Sequence, residues 1–343
     1  MSTPFLEVKN LTKVYSSGLI RKRANVALDH FSMSLSADTP KIVAIAGESG
    51  SGKTTLARLI LGFLTPTSGQ SLFRGKDIWG MAREEWLDYR KNVQAIYQDP
   101  YEVYNPFYRV DHVLNMVLGT FRLTQDRDER RRMMEEALEV VGLRSSEVLG
   151  KYPHQLSGGQ RQRVMVARAF MLRPRLIVAD EPVSMIDASL RGMVLDIMMR
   201  LKEEQGISFL YITHDLSTAY QISDEIYILY RGSIAERGDI DRVINNPQHP
   251  YTQTLLASIP VPDPDIKWAE HLNLPTTQEL IATTQGACKF YDRCVYATDE
   301  ACMNGEPELR EFEDNHHVAC HLRRGELGMV AGEGLALSPS ATQ

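Results

Sequence analysis

Residues 47–54 read GESGSGKT, the pattern G-x-x-x-x-G-K-[ST] of a phosphate-binding loop. An apolar run over residues 41–46 predicts a buried strand before the loop, and residues 54–63 predict a helix after it. Gly50 and Gly52 can adopt backbone angles that other residues avoid, so successive N–H groups can point towards an anion. The dipole of the following helix adds to that attraction. The stretch therefore predicts an α/β fold built around a nucleotide site.

The side chains of this loop supply further groups that a nucleotide needs. Lys53 can place a positive charge on the outer phosphates, and the Thr54 hydroxyl is suited to ligate Mg²⁺. We therefore predict that ATP is bound by the loop and the residue after it. The residues of this predicted site are Gly47, Glu48, Ser49, Gly50, Ser51, Gly52, Lys53, Thr54 and Thr55.

Residues 176–181 read LIVADE, an apolar strand that ends in two carboxylates. Ligands of open α/β sheets bind at the carboxyl ends of the strands. We predict that Asp180 holds Mg²⁺ and that Glu181 is the general base, or the group that orients the attacking water. A helix over residues 189–205 and a strand over residues 208–213 would complete a strand–helix–strand unit, which predicts an α/β core.

Length and charge limit the class of protein. A chain of 343 residues fits one large domain with an extension, and a net charge of −6 gives no bulk basic footprint for nucleic acid. No stretch reaches the roughly 18 to 20 apolar residues that a membrane span needs. The N-terminus lacks the apolar core of a signal peptide. We expect a cytosolic protein that reaches any membrane through separate subunits.

Residues 156–160 read LSGGQ, between the phosphate-binding loop and the acidic strand. This order of motifs resembles the ABC ATPase family over residues 5–257. Ser157 can cap a helix that runs to residue 170, which leaves the first N–H groups of that helix free to bind an anion. The resemblance implies that this second site closes over the γ-phosphate of ATP held by a partner subunit. Its residues are Ser157, Gly158, Gly159 and Gln160.

The same resemblance implies a RecA-like α/β core, an antiparallel β subdomain and a helical subdomain at about residues 100–172. It assigns Tyr15 to stacking on adenine and Gln98 to contact with Mg²⁺, water and the membrane subunit. His214 would contact the γ-phosphate as a catalytic residue, and Asp187 would reach across to the partner. The implied Mg²⁺ ligands are Thr54, Gln98 and Asp180.

Three stretches narrow the family further. They look like ATPase subunits of dipeptide and oligopeptide importers, of the F type. The stretches are residues 98–106 (QDPYEVYNP), residues 245–259 (NNPQHPYTQTLLASI) and the loop GLIRKR at residues 18–23. Residues 107–113 (FYRVDHV) differ from the sequence of the peptide importers and resemble relatives that import oligosaccharides. Sugar import therefore stays open beside peptide import. A soluble ABC ATPase of DNA repair or translation is a more distant alternative.

The resemblance also implies partners and a location. We expect a second ATPase subunit, for which the F-like loop favours a D-type sister chain, two transmembrane permease subunits and an extracellular binding protein. The protein would act peripherally at the cytoplasmic face of the membrane. We expect a nucleotide-binding domain over residues 1–258, an oligopeptide-transporter-type extension over residues 259–324 and a disordered tail over residues 325–343. The linker is PVPDPD, residues 260–265.

The chain has four cysteines, spaced C-x5-C-x7-C-x17-C, in the extension. Stable disulfides are rare in cytosolic proteins, so the cluster indicates a metal site. The spacing alone leaves zinc and an iron–sulfur cluster open. The resemblance to peptide importers implies [4Fe–4S] on Cys288, Cys294, Cys302 and Cys320, with Zn²⁺ as the alternative. The histidines near the last cysteine are expected on the surface: His316, His317 and His321.

Overall fold

The structure is a computed structural model, and it describes residues 4–17, 23–99, 103–259 and 286–322. Several predicted features lie outside the described residues: the loop GLIRKR except Arg23, the start of the helical subdomain at residues 100–102, the linker at residues 260–265 and the tail at residues 325–343. The predicted domain boundaries lie at or beyond the ends of these ranges, so they stay predictions.

An antiparallel sheet forms first in the chain, with the strand order β2-β1-β4-β5 among the described residues. In β1, Leu6 and Val8 are buried while Glu7 and Lys9 face outwards, which is the two-residue period of a strand with one covered face. This sheet is the predicted antiparallel subdomain. Its strands are β1 (Leu6–Ser17), β2 (Arg23–Leu35), β4 (Ser68–Phe73) and β5 (Lys76–Asp77).

The main sheet has the order β11-β12-β10-β9-β3-β8-β7-β6 among the described strands. Its centre is parallel, because β3 pairs with β8 and β9, and β7 pairs with β6 and β8. Both faces of these strands are covered, which explains their continuous apolar sequences. The strands are β3 (Ile42–Ala46), β6 (Val93–Ile96), β7 (Leu176–Asp180), β8 (Ser208–Thr213), β9 (Glu225–Tyr230), β10 (Ser233–Asp239), β11 (Arg310–Glu313) and β12 (His316–Val318).

Helices cover both faces of the main sheet, and several begin or end at a capping residue that the sequence indicates. Ser157 Oγ accepts from Gln160 N at 3.2 Å at the start of one helix. Gly142, where the sequence predicts another helix to end, has a φ of 68° and follows that helix directly. The helices are α1 (Lys53–Ile60), α2 (Arg83–Asn92), α3 (Asp111–Thr120), α4 (Arg127–Val140), α5 (Ser145–Val148), α6 (Gly158–Phe170), α7 (Ala188–Gln205), α8 (Leu216–Ile222), α9 (Ile240–Asn245), α10 (Pro250–Ala257) and α11 (Asp299–Cys302).

The main sheet separates two apolar cores. Val43 and Ile45 of β3 face a core shared with α1 and the antiparallel sheet. Ile42 and Ala44, which alternate with them, face a core shared with α3, α4, α6 and α7.

Among the described residues, no helix combines the length and the apolar character that crossing a bilayer requires. The predicted α/β core with a helical subdomain is confirmed.

The extension continues the main sheet. Its strand β12 pairs with β10, with Glu236 opposite Val318 and Gly238 opposite His316. A side chain at Gly238 would lie 2.3 Å from the Asn315 carbonyl oxygen, so the close approach of the two segments needs a glycine there. The small extension is therefore held partly by backbone hydrogen bonds to the main sheet.

A buried contact between a histidine and a glutamate joins the extension to β10. His316 Nε2 lies 2.7 Å from Glu236 Oε1, and both side chains are fully buried. Glu236 also accepts from the backbone N–H groups of Gln248 at 2.7 Å and His249 at 2.9 Å. The prediction that His316 is a surface residue is wrong, because its ring is enclosed and lies against the buried carboxyl group of Glu236.

We predict that Glu236→Ala lowers the free energy of unfolding by about 3 kcal/mol or more, because it leaves a buried histidine and two N–H groups without their acceptor. The matched control is Glu313→Ala on β11, where the side chain is exposed and the expected change is within about 0.5 kcal/mol. Urea unfolding of both variants checks this. Equal midpoints for the two would contradict the role of the buried pair.

Candidate functional site

The phosphate-binding loop is held by backbone hydrogen bonds, one within the loop and one to the segment after β9. Ser51 N donates to the Glu48 carbonyl at 3.1 Å, and Gly232 N donates to the Ser51 carbonyl at 2.9 Å. Lys53 is buried at the start of α1, and its Nζ donates to the carbonyl oxygens of Gly47 at 2.6 Å and Glu48 at 2.9 Å. The ammonium group therefore lies inside the turn that the loop makes.

Burial lowers the pKa of Lys53, and the carboxylates of Glu181, Asp180 and Glu48 oppose that shift. A buried cation among carbonyl oxygens and nearby carboxylates is placed to meet a polyanion without first losing water. The loop therefore has the charge and the geometry that phosphates require.

Two glycines of the loop approach other backbone segments closely. At Gly47, with φ of 146°, an added Cβ would lie 2.2 Å from the Leu229 carbonyl oxygen. At Gly52, with φ of 108°, it would lie 2.3 Å from the Ala27 carbonyl oxygen. Gly50, with φ of 82°, has no heavy atom within 4 Å of the added Cβ. The loop is thus packed against β9 and β2 at its ends and open in the middle.

The catalytic candidates lie at the carboxyl ends of neighbouring parallel strands. Gln98 follows β6, Glu181 follows β7 and His214 follows β8. Gln98 Nε2 donates to Glu181 Oε2 at 2.8 Å, and His214 Nδ1 lies 3.1 Å from Glu181 Oε1. Each oxygen of the carboxylate therefore has its own partner. The structure brings together the three residues predicted to be catalytic.

Glu181 has a left-handed backbone, with φ of 46°. Its N–H donates to the Ile212 carbonyl of β8 at 2.9 Å, so the sheet holds the residue in this turn. Such a conformation costs about 1–2 kcal/mol in a residue other than glycine. It places the carboxylate between the ends of the two neighbouring strands.

Asp180 and Thr54 provide oxygen atoms next to the loop. Burial raises the pKa of Asp180, the nearby Glu181 carboxylate raises it further, and a hydrogen bond from Thr54 opposes the shift. A carboxylate and a hydroxyl side by side are the ligand types that Mg²⁺ takes when it also binds phosphates. These residues therefore fit the ion that was predicted from the sequence.

The remaining predicted residues lie on other elements. Tyr15 is on β1 with 39% of its surface exposed, and Lys13 Nζ is 5.4 Å from its ring centroid. Ser157 caps α6, and Gly159 packs against Leu190 of α7. Asp187 is the residue immediately before α7. The LSGGQ turn and the predicted partner-facing aspartate thus lie at the starts of two helices that pack together.

Two residues next to the loop were missed from the sequence. Tyr251 Oη accepts from Glu48 N at 2.9 Å. Arg293 binds the Glu48 carboxylate through both terminal nitrogens, each at 2.8 Å. The contacts join positions 203 and 245 residues apart, and no local pattern signals them. Tyr251 lies in a stretch that the family resemblance singled out, but without a role.

The cysteines do not form the predicted centre. All four are free thiols, and within the described ranges no group of three or more His, Cys, Asp or Glu side chains could hold a metal ion. The prediction of a [4Fe–4S] cluster is therefore wrong, and so is the Zn²⁺ alternative. Burial raises the pKa of Cys294 to about 11 and that of Cys320 to about 12, so both groups are neutral thiols at pH 7. Cys288 and Cys302 pack in the larger core and Cys294 packs against it. Cys288 N donates to the Cys302 carbonyl at 2.9 Å.

Comparisons with known proteins agree with this geometry. A family model described as "ABC transporter" matches residues 28–184, and one described as "Oligopeptide/dipeptide transporter, C-terminal region" matches residues 235–302. The dipeptide transport ATP-binding protein DppF of Haemophilus influenzae is 38% identical over 93% of this chain and 97% of its own. The oligopeptide transport ATP-binding protein AppF of Bacillus subtilis is 38% identical over 92% and 97%. The chain belongs to the ABC transporter family, among the ATP-binding proteins of oligopeptide and dipeptide transporters.

The ABC cassette fold is also found in solved structures. A dimeric post-hydrolysis state of the ATP-binding cassette MJ0796, bound to ADP and Pi, has a TM-score of 0.60 and 26% identity, and it covers 68% of this chain and 98% of that one. The ABC transporter protein cbiO1 of Clostridium perfringens has a TM-score of 0.61 and 26% identity, with coverage of 71% and 92%. The chain is an ATPase of this family.

The oligosaccharide alternative is wrong. It depended on residues 107–113, and five curated relatives that match over 92–94% of the chain at 36–38% identity are named for oligopeptide, dipeptide or peptide transport. In this ABC protein, Phe107 and Tyr108 are exposed and Val110 is buried, so part of the stretch packs in the helical subdomain.

We predict that Gly47→Ala destabilises this ABC protein more than Gly50→Ala, measured by urea unfolding without nucleotide. Both alanines need a positive φ, which costs about 1–3 kcal/mol in a residue other than glycine. Only the first also meets a carbonyl oxygen at 2.2 Å, which we expect to cost a further 1–3 kcal/mol or so. Equal losses of stability would mean that the loop is free to move away from β9.

Proposed function

We propose that the protein is the ATP-hydrolysing subunit of an ABC importer that takes up oligopeptides or dipeptides. The observation that carries the proposal is the match to peptide-transport ATP-binding proteins across both the cassette and the C-terminal region. The convergence of Gln98, Glu181 and His214 beside the phosphate-binding loop supports the enzymatic part.

ATP would bind with its phosphates over the loop. The N–H groups around Gly50 and the start of α1 face the anion, and Lys53 exchanges its carbonyl partners for phosphate oxygens. Mg²⁺ would neutralise phosphate charge when it is held by Thr54, Gln98 and Asp180. The remaining predicted contact, Tyr15, would lie against the adenine ring.

Glu181 would accept a proton from the attacking water or orient that water. Gln98 and His214 each hydrogen-bond to one of its oxygens, and the remaining lone pairs of the carboxylate can accept from water. We propose that His214 gives up its bond when the nucleotide binds. His214, which is partly exposed, is then free to turn towards the γ-phosphate. Hydrolysis breaks the bond between the β,γ-bridging oxygen and the γ-phosphorus, and it releases ADP and phosphate.

Two ATPase subunits would act together. The LSGGQ residues of one subunit, from Ser157 to Gln160, would close over the nucleotide of the other, and Asp187 would lie at the same interface. The dimeric solved cassette bound to ADP and Pi supports this arrangement. We propose a D-type sister chain as the second subunit, two membrane permeases, an extracellular binding protein and a place at the cytoplasmic face of the membrane. The domains would be residues 1–258 and 259–324, followed by a disordered tail over residues 325–343.

The proposal is tested on the intact complex with its binding protein in membranes. We expect a pool of short peptides to stimulate ATP hydrolysis, and a matched pool of oligosaccharides to leave it at the basal rate. Stimulation by the sugars alone would overturn the assigned cargo. No ATP hydrolysis under any condition would overturn the enzymatic assignment as well.

We predict that Glu181→Gln keeps ATP binding but lowers steady turnover by about 10²-fold or more, because the amide cannot accept a proton from water. The matched control, Glu203→Gln on the exposed face of α7, should turn over ATP at the normal rate. Nucleotide binding and phosphate release are measured on both. Rapid steady hydrolysis by Glu181→Gln would show that another group activates the water.

A further inference from the structure

The phosphate-binding loop is in direct contact with the C-terminal extension. Arg293, in the short 3₁₀ turn Tyr291–Arg293, forms a bidentate ion pair with Glu48, the second residue of the loop. The hydrogen bond from Glu48 N to Tyr251 Oη fixes the same residue through its backbone. Glu48 is therefore held at both its side chain and its N–H by groups outside the loop.

The arginine is itself held in place. Its side chain is only 16% exposed, and its guanidinium lies 5.8 Å from the ring centroid of Tyr230 and 5.6 Å from that of Phe290. Phe290 packs against Tyr230 and Tyr251, with ring centroids 5.2 Å and 5.5 Å apart. A bidentate pair that stands on packed rings loses little entropy when it forms, unlike an exposed ion pair between mobile side chains.

A second contact fixes the extension nearby. Lys289 Nζ lies 2.6 Å from Asp29 Oδ2 of β2, and Arg231 Nη1 donates to the Lys289 carbonyl at 3.2 Å. A side chain at Gly52 of the loop would meet Ala27 of β2 and Gly232 after β9. Asp29 and Arg231 lie on these same two segments, next to the loop. The extension thus contacts the loop and the two segments against which the loop packs.

The charge of Glu48 matters for an anionic ligand. Glu48 is close enough to Lys53 to favour the charged form of that lysine. Without a cation beside it, the Glu48 carboxylate would repel incoming phosphates and compete for the lysine. The hydrogen bond to Glu48 raises the pKa of Arg293, so the guanidinium stays charged and neutralises the carboxylate throughout the working pH range.

We propose that Arg293 of the C-terminal extension is a positioning residue for the phosphate-binding loop: it neutralises Glu48 and fixes the loop backbone, so that the nucleotide meets a preformed anion site. The inference rests on the proposed nucleotide site, and it gives the extension a role in nucleotide affinity. Arg293 acts through Glu48, so its loss changes nucleotide binding and leaves the chemical step at saturating ATP unchanged.

The test is MgADP binding by titration calorimetry on the full chain. We expect Arg293→Ala to raise the Kd about tenfold, within the usual range of coupling between two sites, and Arg293→Lys to give a smaller rise. The double variant Arg293→Ala/Glu48→Gln should recover most of the lost affinity, because the uncompensated carboxylate is gone. In the intact complex, Arg293→Ala should raise KM for ATP and leave kcat within about twofold.

The matched control is Arg242→Ala. Arg242 also joins the core to the extension, through a hydrogen bond from Nη1 to the Asp314 carbonyl, at the opposite end of the extension from the loop. Its loss should leave the Kd for MgADP unchanged. Denaturation midpoints of all variants show whether each is folded.

Two results would overturn the inference. An unchanged Kd in Arg293→Ala would mean that the ion pair does not act on the loop. An equal loss in Arg293→Ala, the double variant and Arg242→Ala would mean that the extension acts only by general stability. Failure of the wild-type chain to bind MgADP would instead contradict the proposed function, so the two failures are distinguishable.

Discussion

The parallel register of β6, β7 and β8 is the constraint on which the site depends. Asp180 is the last residue of β7, and the chain turns at Glu181 with a positive φ that a hydrogen bond to Ile212 of β8 maintains. Since neighbouring parallel strands end at the same edge of the sheet, Gln98 and His214 lie on either side of the Glu181 carboxylate. A shift of one residue in β7 would turn Glu181 to the other face of the sheet and break both contacts.

The second constraint is the packing that fixes the position of the phosphate-binding loop. Its ends pack against β2 and β9 so closely that only glycine fits at Gly47 and Gly52. The extension also holds the loop, because it continues the main sheet through β12 and contacts the loop through Arg293. The phosphate-binding loop is therefore held in place by segments that lie far apart in sequence.

Much of this could be predicted from local patterns. The loop GESGSGKT, the apolar strands and the Ser157 cap have signals within a few residues, and the structure contains each of them. Contacts such as Arg293 with Glu48 and His316 with Glu236 depend on the tertiary fold, so the sequence offered no sign of them. The cysteine spacing misled for a related reason: spacing along the chain does not say whether thiols converge as metal ligands or pack as small apolar groups.

We propose that ATP hydrolysis by this chain drives peptide uptake. Accumulation of a labelled short peptide is measured in sealed vesicles that hold the complex, with ATP on the side of the ATPase subunits and the binding protein on the other side. We expect accumulation that requires ATP and is lost in Glu181→Gln. Hydrolysis of ATP without accumulation of any peptide would contradict it.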